Sequence, residues 1–105
     1  MDGNTTVKYL QNYLKQKDFV PGREMYYFLK LVEEVGEVSE AIFHGKFRQP
    51  GQPIKGTLDE ELWDVMYFVL CLANLYGIDM EAAIQEKERL NNLRWHDKHP
   101  FEIGR

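Results

Sequence analysis

Apolar residues recur at the spacing of an α-helix in four segments of the chain, and no segment alternates like a β-strand over any length. The first segment follows Thr5 and Thr6, either of which can cap a helix, and the second runs from Arg23 to Gly45. A loop rich in glycine and proline, residues 45–56, separates the second segment from the third. The pattern predicts an all-α bundle of four helices.

The third segment, ELWDVMYFVLCLANLYG at residues 61–77, is apolar on every side of a helix except for single polar positions. Thr57 and Glu60 form a capping-box pattern before it, and Asp79 caps the fourth segment, MEAAIQEKERLNNLRW. A helix that is apolar all round must be covered all round, which is hard for three short neighbours. We therefore expect this helix, together with the second, to pack against a second copy of the chain in a homo-oligomer. The alternative is a helix central to its own monomer.

Length and charge narrow the class of protein. The 105 residues fit one domain, residues 1–105, and the net charge of −4 argues against binding a nucleic-acid polymer. The longest uninterrupted apolar run, Val65 to Ala73, is shorter than the about 20 residues of a membrane span, and the first residues lack the apolar core of a signal peptide. With Cys71 as its one cysteine, the chain is expected to be cytoplasmic, without a membrane partner.

Two pairs of acids lie beside the apolar stripes of the second and third predicted helices. Glu61 and Asp64 continue the stripe of the third helix within about 100°, and Glu34 and Glu37 flank the stripe of the second. Four gathered carboxylates repel one another, and a hard divalent cation such as Mg²⁺ is the simplest way to keep them ionised. A solvated face explains Glu34 and Glu37 equally well when they are taken alone. It explains Asp64 poorly, because the neighbours of Asp64 are apolar.

Cations and amides on the fourth helix could complement these acids. Lys87, Asn91 and Arg94 share one face within about 60° and could hold phosphate oxygens. The alternative is a solvated basic helix end, which the helix dipole favours. The cations of the 45–56 loop allow the same two interpretations. A di-iron bundle is not expected, since it requires Glu-x-x-His and the chain has none.

The order of these motifs resembles that of the MazG-like nucleotide pyrophosphohydrolases. EEVGE at 33–37 fits E-E-x-x-E, ELWD at 61–64 fits E-x-x-D, and KERLNNLRW at 87–95 is similar to the K-x-x-x-N-x-x-R element of that family. The resemblance implies an all-α fold completed by dimerisation, with dimers often paired into tetramers. It also implies Mg²⁺-dependent hydrolysis of a nucleoside triphosphate to the monophosphate and pyrophosphate, with Mn²⁺ as a substitute, in a nucleotide house-cleaning role.

The resemblance also implies roles for individual residues. The metal ligands and catalytic residues would be Glu34, Glu37, Glu61 and Asp64. The phosphate contacts would be Lys87, Asn91 and Arg94, with looser assignments of Glu33 to the metal or water and of Trp63 to the substrate. Related sites surround the base with the first helix and the connection after it, which here offer Gln11, Phe19, Tyr26 and Tyr27. Each of these four is more readily explained as part of the core.

Other functions are compatible with the same motifs. Phosphoribosyl-ATP pyrophosphohydrolases and dimeric dUTPases use related acids. A non-catalytic oligomer would pair the acids with Lys87 and Arg94 in salt bridges, and a regulator would bind metal or nucleotide without turnover. The motifs leave open the base, the sugar, the number of metal ions and the phosphorus attacked.

Overall fold

Four α-helices make up the part of the chain that the computed structural model describes, residues 4–95 apart from the side chains of Arg94 and Trp95. The helices are α1 (Val7–Lys17), α2 (Glu24–Phe43), α3 (Leu58–Leu75) and α4 (Met80–Trp95). Residues 4–95 contain no strand, so the predicted all-α class with four helices is confirmed. The tail from His96 onward, predicted to be irregular, lies outside the described residues.

The helices begin at the residues that the sequence predicts, with one difference in the hydrogen bonds. Thr6 and Asp79 accept backbone N–H groups of the first turns of α1 and α4, at 3.0 and 3.2 Å. Thr57 precedes α3, but its hydroxyl donates to a carbonyl oxygen of the preceding loop at 2.6 Å. Glu60 accepts the N–H of Gly56 at 2.9 Å. The capping pattern therefore predicts the start of α3 correctly. The side chains of Thr57 and Glu60, however, form hydrogen bonds with the backbone of the preceding loop and not with that of the first turn of the helix.

Glycines end α2 and α3, as the pattern predicts for Gly45. Gly45 and Gly77 adopt φ values of +63° and +66°, in the left-handed region that glycine enters without steric cost. This turn lets the N–H of Lys46 reach the carbonyl oxygen of Ala41 at 2.8 Å. The last turn of α2 thus has its backbone satisfied, and the chain leaves sharply into the loop.

The core lies where α3 packs between α2 and α1. Leu14 of α1, Tyr27 of α2, and Leu70 and Cys71 of α3 form a cluster in which every residue is buried. Helix α4 packs against α1. The long contact between α2 and α3 matters most for the site described below, because it sets the acids of the two helices beside each other.

Asn74, the one amide in the apolar segment, is matched by Gln11 of α1. The Gln11 amide nitrogen donates to Asn74 Oδ1 at 3.1 Å and to the carbonyl oxygen of Ile78 at 2.9 Å. Gln11 Oε1 accepts the N–H of Met80 at 2.9 Å, and Asn74 Nδ2 donates to the Gln11 carbonyl oxygen at 2.9 Å. Gln11 is buried, and these hydrogen bonds satisfy its side-chain amide. The amide thereby links α1 to α3 and to the start of α4.

Asp18 joins the end of α1 to the other two core helices. Its carboxylate accepts hydrogen bonds from the hydroxyls of Tyr27 and Tyr67, the latter at 2.7 Å. Burial, followed by this carboxylate, raises the pKa of both tyrosines well above the ordinary value, so both remain proton donors. Tyr27 is therefore a core residue, as the sequence favours.

A large apolar surface is left uncovered by the chain itself. The whole chain has an accessible area of 8043 Å² and a radius of gyration of 16.2 Å. A compact monomer of this size would have about 6,100 Å² and about 13 Å. The exposed apolar side chains on α2 include Met25, Phe28, Leu29, Val32 and Phe43, and those on α3 include Leu62, Met66 and Val69, with Tyr76 directly after the helix. These side chains are apolar surface of α2 and α3 that the chain itself leaves exposed.

No single helix among residues 4–95 is long and apolar enough to cross a membrane, although α3 and α4, bent by 101° at their junction, reach the required length and composition as a pair.

Candidate metal centre

Three carboxylates meet where α2 and α3 pack. Glu34 comes from α2, and Glu61 and Asp64 come from the first two turns of α3. One oxygen from each lies within 4.8 Å of the others. The i,i+3 spacing of Glu61 and Asp64 places both side chains on the face of α3 that meets α2, so they converge on Glu34.

The three carboxyl groups are half-buried, and burial is the first cause of their raised pKa values. Repulsion between the carboxylates raises these pKa values further. The charges of Asp64 and Glu61 raise the pKa of Glu34, and the charge of Asp64 raises that of Glu61. Glu60, one turn earlier on α3, further raises the pKa of Asp64. Ionisation of all three groups is therefore less favourable than that of solvated carboxyl groups, and a bound cation would offset the difference.

That positive charge does not come from an ion pair within the described residues. The ion pairs there are Lys30 with Glu33 at 3.4 Å and Lys55 with Glu60 at 3.9 Å. Neither involves the clustered carboxylates. Closely spaced hard oxygen donors without a cationic partner are the donor set that Mg²⁺ and similar ions prefer.

Glu37 and Glu33, the other predicted acids of α2, lie at the edge of this cluster. Glu37 is exposed and outside the group of three, but its charge helps to raise the pKa of Glu61, so it faces the same side. Glu33 is exposed and pairs with Lys30, and its charge helps to raise the pKa of Glu34. The roles predicted for both residues stay predictions.

Trp63 faces away from the acids, although it precedes Asp64 in the sequence. Its ring makes an edge-on contact with Tyr67 at 6.1 Å between centroids. It also lines a groove of about 550 Å³ between α1 and α3, together with Tyr9, Leu10, Tyr13 and Met66. Consecutive residues of a helix are about 100° apart, which is why neighbours in sequence reach different surfaces.

The predicted phosphate contacts lie on a helix that is not part of the acid cluster. Helix α4 packs against α1, whereas the acids lie between α2 and α3. Lys87 is exposed, and the Asn91 amide donates to Glu88 at 3.3 Å. The side chain of Arg94 is outside the described residues. Within the described part of the chain, no ion pair joins Lys87 to the clustered acids, as the salt-bridge alternative would require.

Two lysines lie beside the cluster: Lys30, which the sequence did not single out, and Lys55, which it indicates only as one of the cations of the 45–56 loop. The charge of Lys30 lowers the pKa of Glu34, and that of Lys55 lowers the pKa of Glu61 and Asp64, in each case against the larger effect of burial. The position of Lys30, four residues before Glu34 on one helix, is a signal that the sequence offers. Lys55 belongs to the loop, whose path only the folded chain reveals.

The sequence of the chain is similar to a known protein family and to a known bacterial protein. A family model described as the MazG nucleotide pyrophosphohydrolase domain matches residues 24–99. An uncharacterized protein, YpjD of Bacillus subtilis strain 168, is 30% identical over 71 residues, which are 66% of this chain and 64% of YpjD. The match therefore spans slightly less than two thirds of that relative.

Solved structures of iMazG from Vibrio DAT 722 have the same arrangement of helices. An N-terminally tagged form matches with a TM-score of 0.80 and 41% identity, covering 89% of this chain and 100% of that one. A C-terminally tagged form matches with a TM-score of 0.78 and 44% identity, covering 84% and 99%. With more than 40% of residues identical, these two structures resemble this chain in sequence as well as in fold.

Proposed function

The chain belongs to the family of MazG nucleotide pyrophosphohydrolase domains, and from that membership we propose that it hydrolyses a nucleoside triphosphate to the monophosphate and pyrophosphate with the help of Mg²⁺. The observation that carries this proposal is the meeting of Glu34, Glu61 and Asp64 within 4.8 Å between two packed helices. Their raised pKa values and the lack of an ion-pair partner support a site for a cation.

Glu34, Glu61 and Asp64 would hold the metal ion, and Glu37 would complete the set from the next turn of α2. Mg²⁺ bound there would neutralise phosphate charge and make a bound water more acidic, and Mn²⁺ could replace it. The carboxylates supply oxygen ligands only, which suits these hard ions better than a softer metal.

The residues of the chain would then position substrate and move the proton. We assign proton transfer from the attacking water to a carboxylate of α2, either Glu34 or Glu37. Lys87, Asn91 and Arg94 would contact the phosphates of the departing pyrophosphate. Glu33 would support the α2 acids. Trp63 would contact the substrate from the groove between α1 and α3, and not from beside the acids.

A second copy of the chain would complete the molecule. The area that one chain exposes beyond that of a compact monomer is about 1,900 Å², more than the about 800 Å² that each partner of a standard interface buries. The exposed side chains on α2 and α3 are large and apolar, as expected for an obligate contact. We propose a homodimer, with pairing of two dimers into a tetramer as the alternative.

The test is a panel of nucleotides assayed for pyrophosphate release with Mg²⁺, with Mn²⁺ and with a chelator. The panel includes ribo- and deoxyribonucleoside triphosphates with standard and modified bases, dUTP and phosphoribosyl-ATP. We expect metal-dependent release from at least one member. If Mg²⁺ binds but no member is cleaved, the enzyme proposal is wrong and a binding regulator replaces it.

Hydrolysis in ¹⁸O-labelled water would identify the phosphorus attacked. We expect either the monophosphate or the pyrophosphate to carry the label, since a single phosphorus accepts the water oxygen. Release of orthophosphate instead of pyrophosphate would contradict the proposed reaction.

A further inference from the structure

The charges around the acid cluster do not balance once a substrate is present. Glu34, Glu61 and Asp64 carry three negative charges when ionised, and a nucleoside triphosphate brings about four more at neutral pH. Even with one or two divalent cations, the site remains strongly negative. Lys87 and Arg94 would offset part of this charge, and further cations are expected near the phosphates. Within the described residues, the cations that act on the cluster are Lys30 and Lys55.

Lys30 is already occupied. Its ammonium group lies 3.4 and 3.5 Å from the two carboxylate oxygens of Glu33, and its side chain is only 30% exposed. A lysine held between a helix surface and its own carboxylate partner has little freedom to follow a substrate. Its contribution to the site is the fixed charge it places near Glu34.

Lys55 is in the opposite situation. Its side chain is 88% exposed, and its ammonium group lies 3.9 Å from Glu60 Oε2, too far for a hydrogen bond. The other oxygen of Glu60 accepts the N–H of Gly56 at 2.9 Å. The charge of Lys55 nevertheless acts on both Glu61 and Asp64. An exposed ammonium group whose ion pair with Glu60 is as long as 3.9 Å, and which lies just before the helix of Glu61 and Asp64, is available to bind an anion placed there.

The backbone that carries Lys55 is held firmly to the start of α3. Thr57, which is buried, donates from its hydroxyl to the carbonyl oxygen of Ile54 at 2.6 Å, and its N–H reaches the same oxygen at 3.1 Å. Farther along, the N–H of Leu58 bonds the carbonyl oxygen of Lys46 at 2.8 Å. These bonds fix the Cα of Lys55 relative to the acids while its four-carbon side chain remains free to move.

We propose that Lys55 binds the phosphate chain of the substrate. Its backbone would be held by the loop, and its ammonium group would contact the nucleotide that the metal binds. The inference rests on the proposed function for the identity of the anion. It adds a residue from the connection between α2 and α3 to a site otherwise built from helices. A compact ammonium group with rotatable donors suits non-bridging phosphate oxygens, whose positions shift during the reaction.

The experiment compares Lys55→Gln, Lys55→Arg and Lys46→Gln in the full-length protein. Lys46 is an exposed lysine of the same loop and serves as the matched control. For Lys55→Gln we expect KM for the cleaved nucleotide to rise on the order of tenfold, the loss of one charge-assisted hydrogen bond. Affinity for a non-hydrolysable triphosphate analogue with Mg²⁺, measured by calorimetry, should fall equally. Lys55→Arg should restore most of both.

A second readout separates phosphate binding from a structural role. Removing a positive charge beside Glu61 and Asp64 should strengthen the binding of Mg²⁺ alone by a few-fold, because a repulsive neighbour is lost. Opposite changes in the affinities for Mg²⁺ and for the nucleotide are expected only if Lys55 lies between them. Loss of both affinities together would indicate damage to the loop and would overturn the inference.

The outcomes distinguish this inference from the proposed function. If the native protein cleaves a nucleotide and Lys55→Gln behaves like Lys46→Gln, Lys55 is not a phosphate contact and the function stands. If no nucleotide is cleaved but Lys55→Gln still weakens binding of the analogue, Lys55 binds phosphate and the enzymatic proposal fails. If the native protein neither cleaves nucleotides nor binds the analogue, both are wrong.

Discussion

Asp64 is the one charged residue between Leu62 and Leu75 in the sequence, and the structure shows what accompanies it. Its carboxylate lies within 4.8 Å of those of Glu34 and Glu61, half-buried and without an ion-pair partner among the described residues. Each of these facts makes the isolated cluster unfavourable. A residue that lowers stability in this way is typical of a functional site, where a ligand recovers the loss.

Replacing Asp64 with Asn tests this directly. We expect nucleotide hydrolysis to fall on the order of 100-fold or more, because the amide removes a charged metal ligand. Without metal, Tm should stay the same or rise by a few degrees, because one repelling charge is gone. Scanning calorimetry with and without Mg²⁺ and the pyrophosphate assay measure both effects. Asp59→Asn, an exposed acid of the same helix, is the control. A lower metal-free Tm for Asp64→Asn would favour the salt-bridge alternative.

The raised pKa values predict how stability depends on pH. An acid whose pKa is higher in the folded state keeps its proton longer there, so the metal-free protein loses stability as pH rises from the ordinary carboxyl pKa through the raised values of Glu34, Glu61 and Asp64. Below that window the penalty is absent. Mg²⁺ binds the ionised form, so it should stabilise the protein more at pH 7.5 than at pH 5.

Thermal unfolding at these two pH values, with Mg²⁺ and with a chelator, measures this dependence. The pH-dependent part that is assigned to the cluster should shrink in Asp64→Asn, which has one fewer titrating group. An unchanged pH dependence in that variant would mean that other groups dominate and that the cluster contributes little.

At the scale of the helices, α3 keeps its position through polar contacts as well as apolar ones. Gln11 of α1 satisfies Asn74 in the middle of the apolar helix and the N–H of Met80 at the start of α4. Asp18 at the end of α1 does the same for Tyr27 and Tyr67. The face of α3 toward α1 is thereby fixed in register, which leaves its other face to carry the acids toward α2.

Gln11→Ala should destabilise the protein by about 2 to 3 kcal/mol, because it leaves Asn74 Oδ1 and the Met80 N–H, on two half-buried residues, without their Gln11 partner. Urea unfolding at one fixed protein concentration measures this change. Gln16→Ala, at an exposed position of the same helix, is the control and should change the free energy of unfolding by less than about 0.5 kcal/mol. Equal effects of the two substitutions would mean that the Gln11 network contributes nothing specific.

At the scale of the whole molecule, the chain is more open than its length requires. Its area and its radius of gyration both exceed those of a compact monomer, and large apolar side chains are exposed on α2 and α3, the helices that hold the acids. A second copy on these faces would bury apolar surface next to the metal centre. Assembly and site formation would then depend on the same two helices.

Val32→Glu tests the proposed assembly. Val32 is 52% exposed in the middle of the apolar face of α2, so a carboxylate there would be buried by a partner chain. We expect light scattering after gel filtration to show the 12.4 kDa monomer for this variant and a multiple of that mass for the native protein. Gln16→Glu adds the same charge at an exposed polar position of α1 and should leave the mass unchanged. A native protein of monomer mass would contradict the proposal.

Local rules explain why so much of the fold could be predicted from the sequence. Helix periodicity, the caps at Thr6 and Asp79, and the glycine at Gly45 each depend on residues within a few positions of one another. The same locality shows Glu61 and Asp64 on one face of α3. The order of the acidic motifs, compared with that of a known family, adds the expectation of a metal-dependent pyrophosphohydrolase.

Tertiary structure decided the contacts between segments that are distant in sequence. Only the packing of α2 on α3 brings Glu34, rather than Glu37, to within 4.8 Å of the α3 acids. Only the path of the loop sets Lys55 beside them, and only the position of α1 gives Asn74 its partner. The sequence by itself determined which side chains each helix presents, because helix geometry is local. Which of them meet was decided by the angles and registers at which whole helices pack, and these depend on the entire set of core side chains.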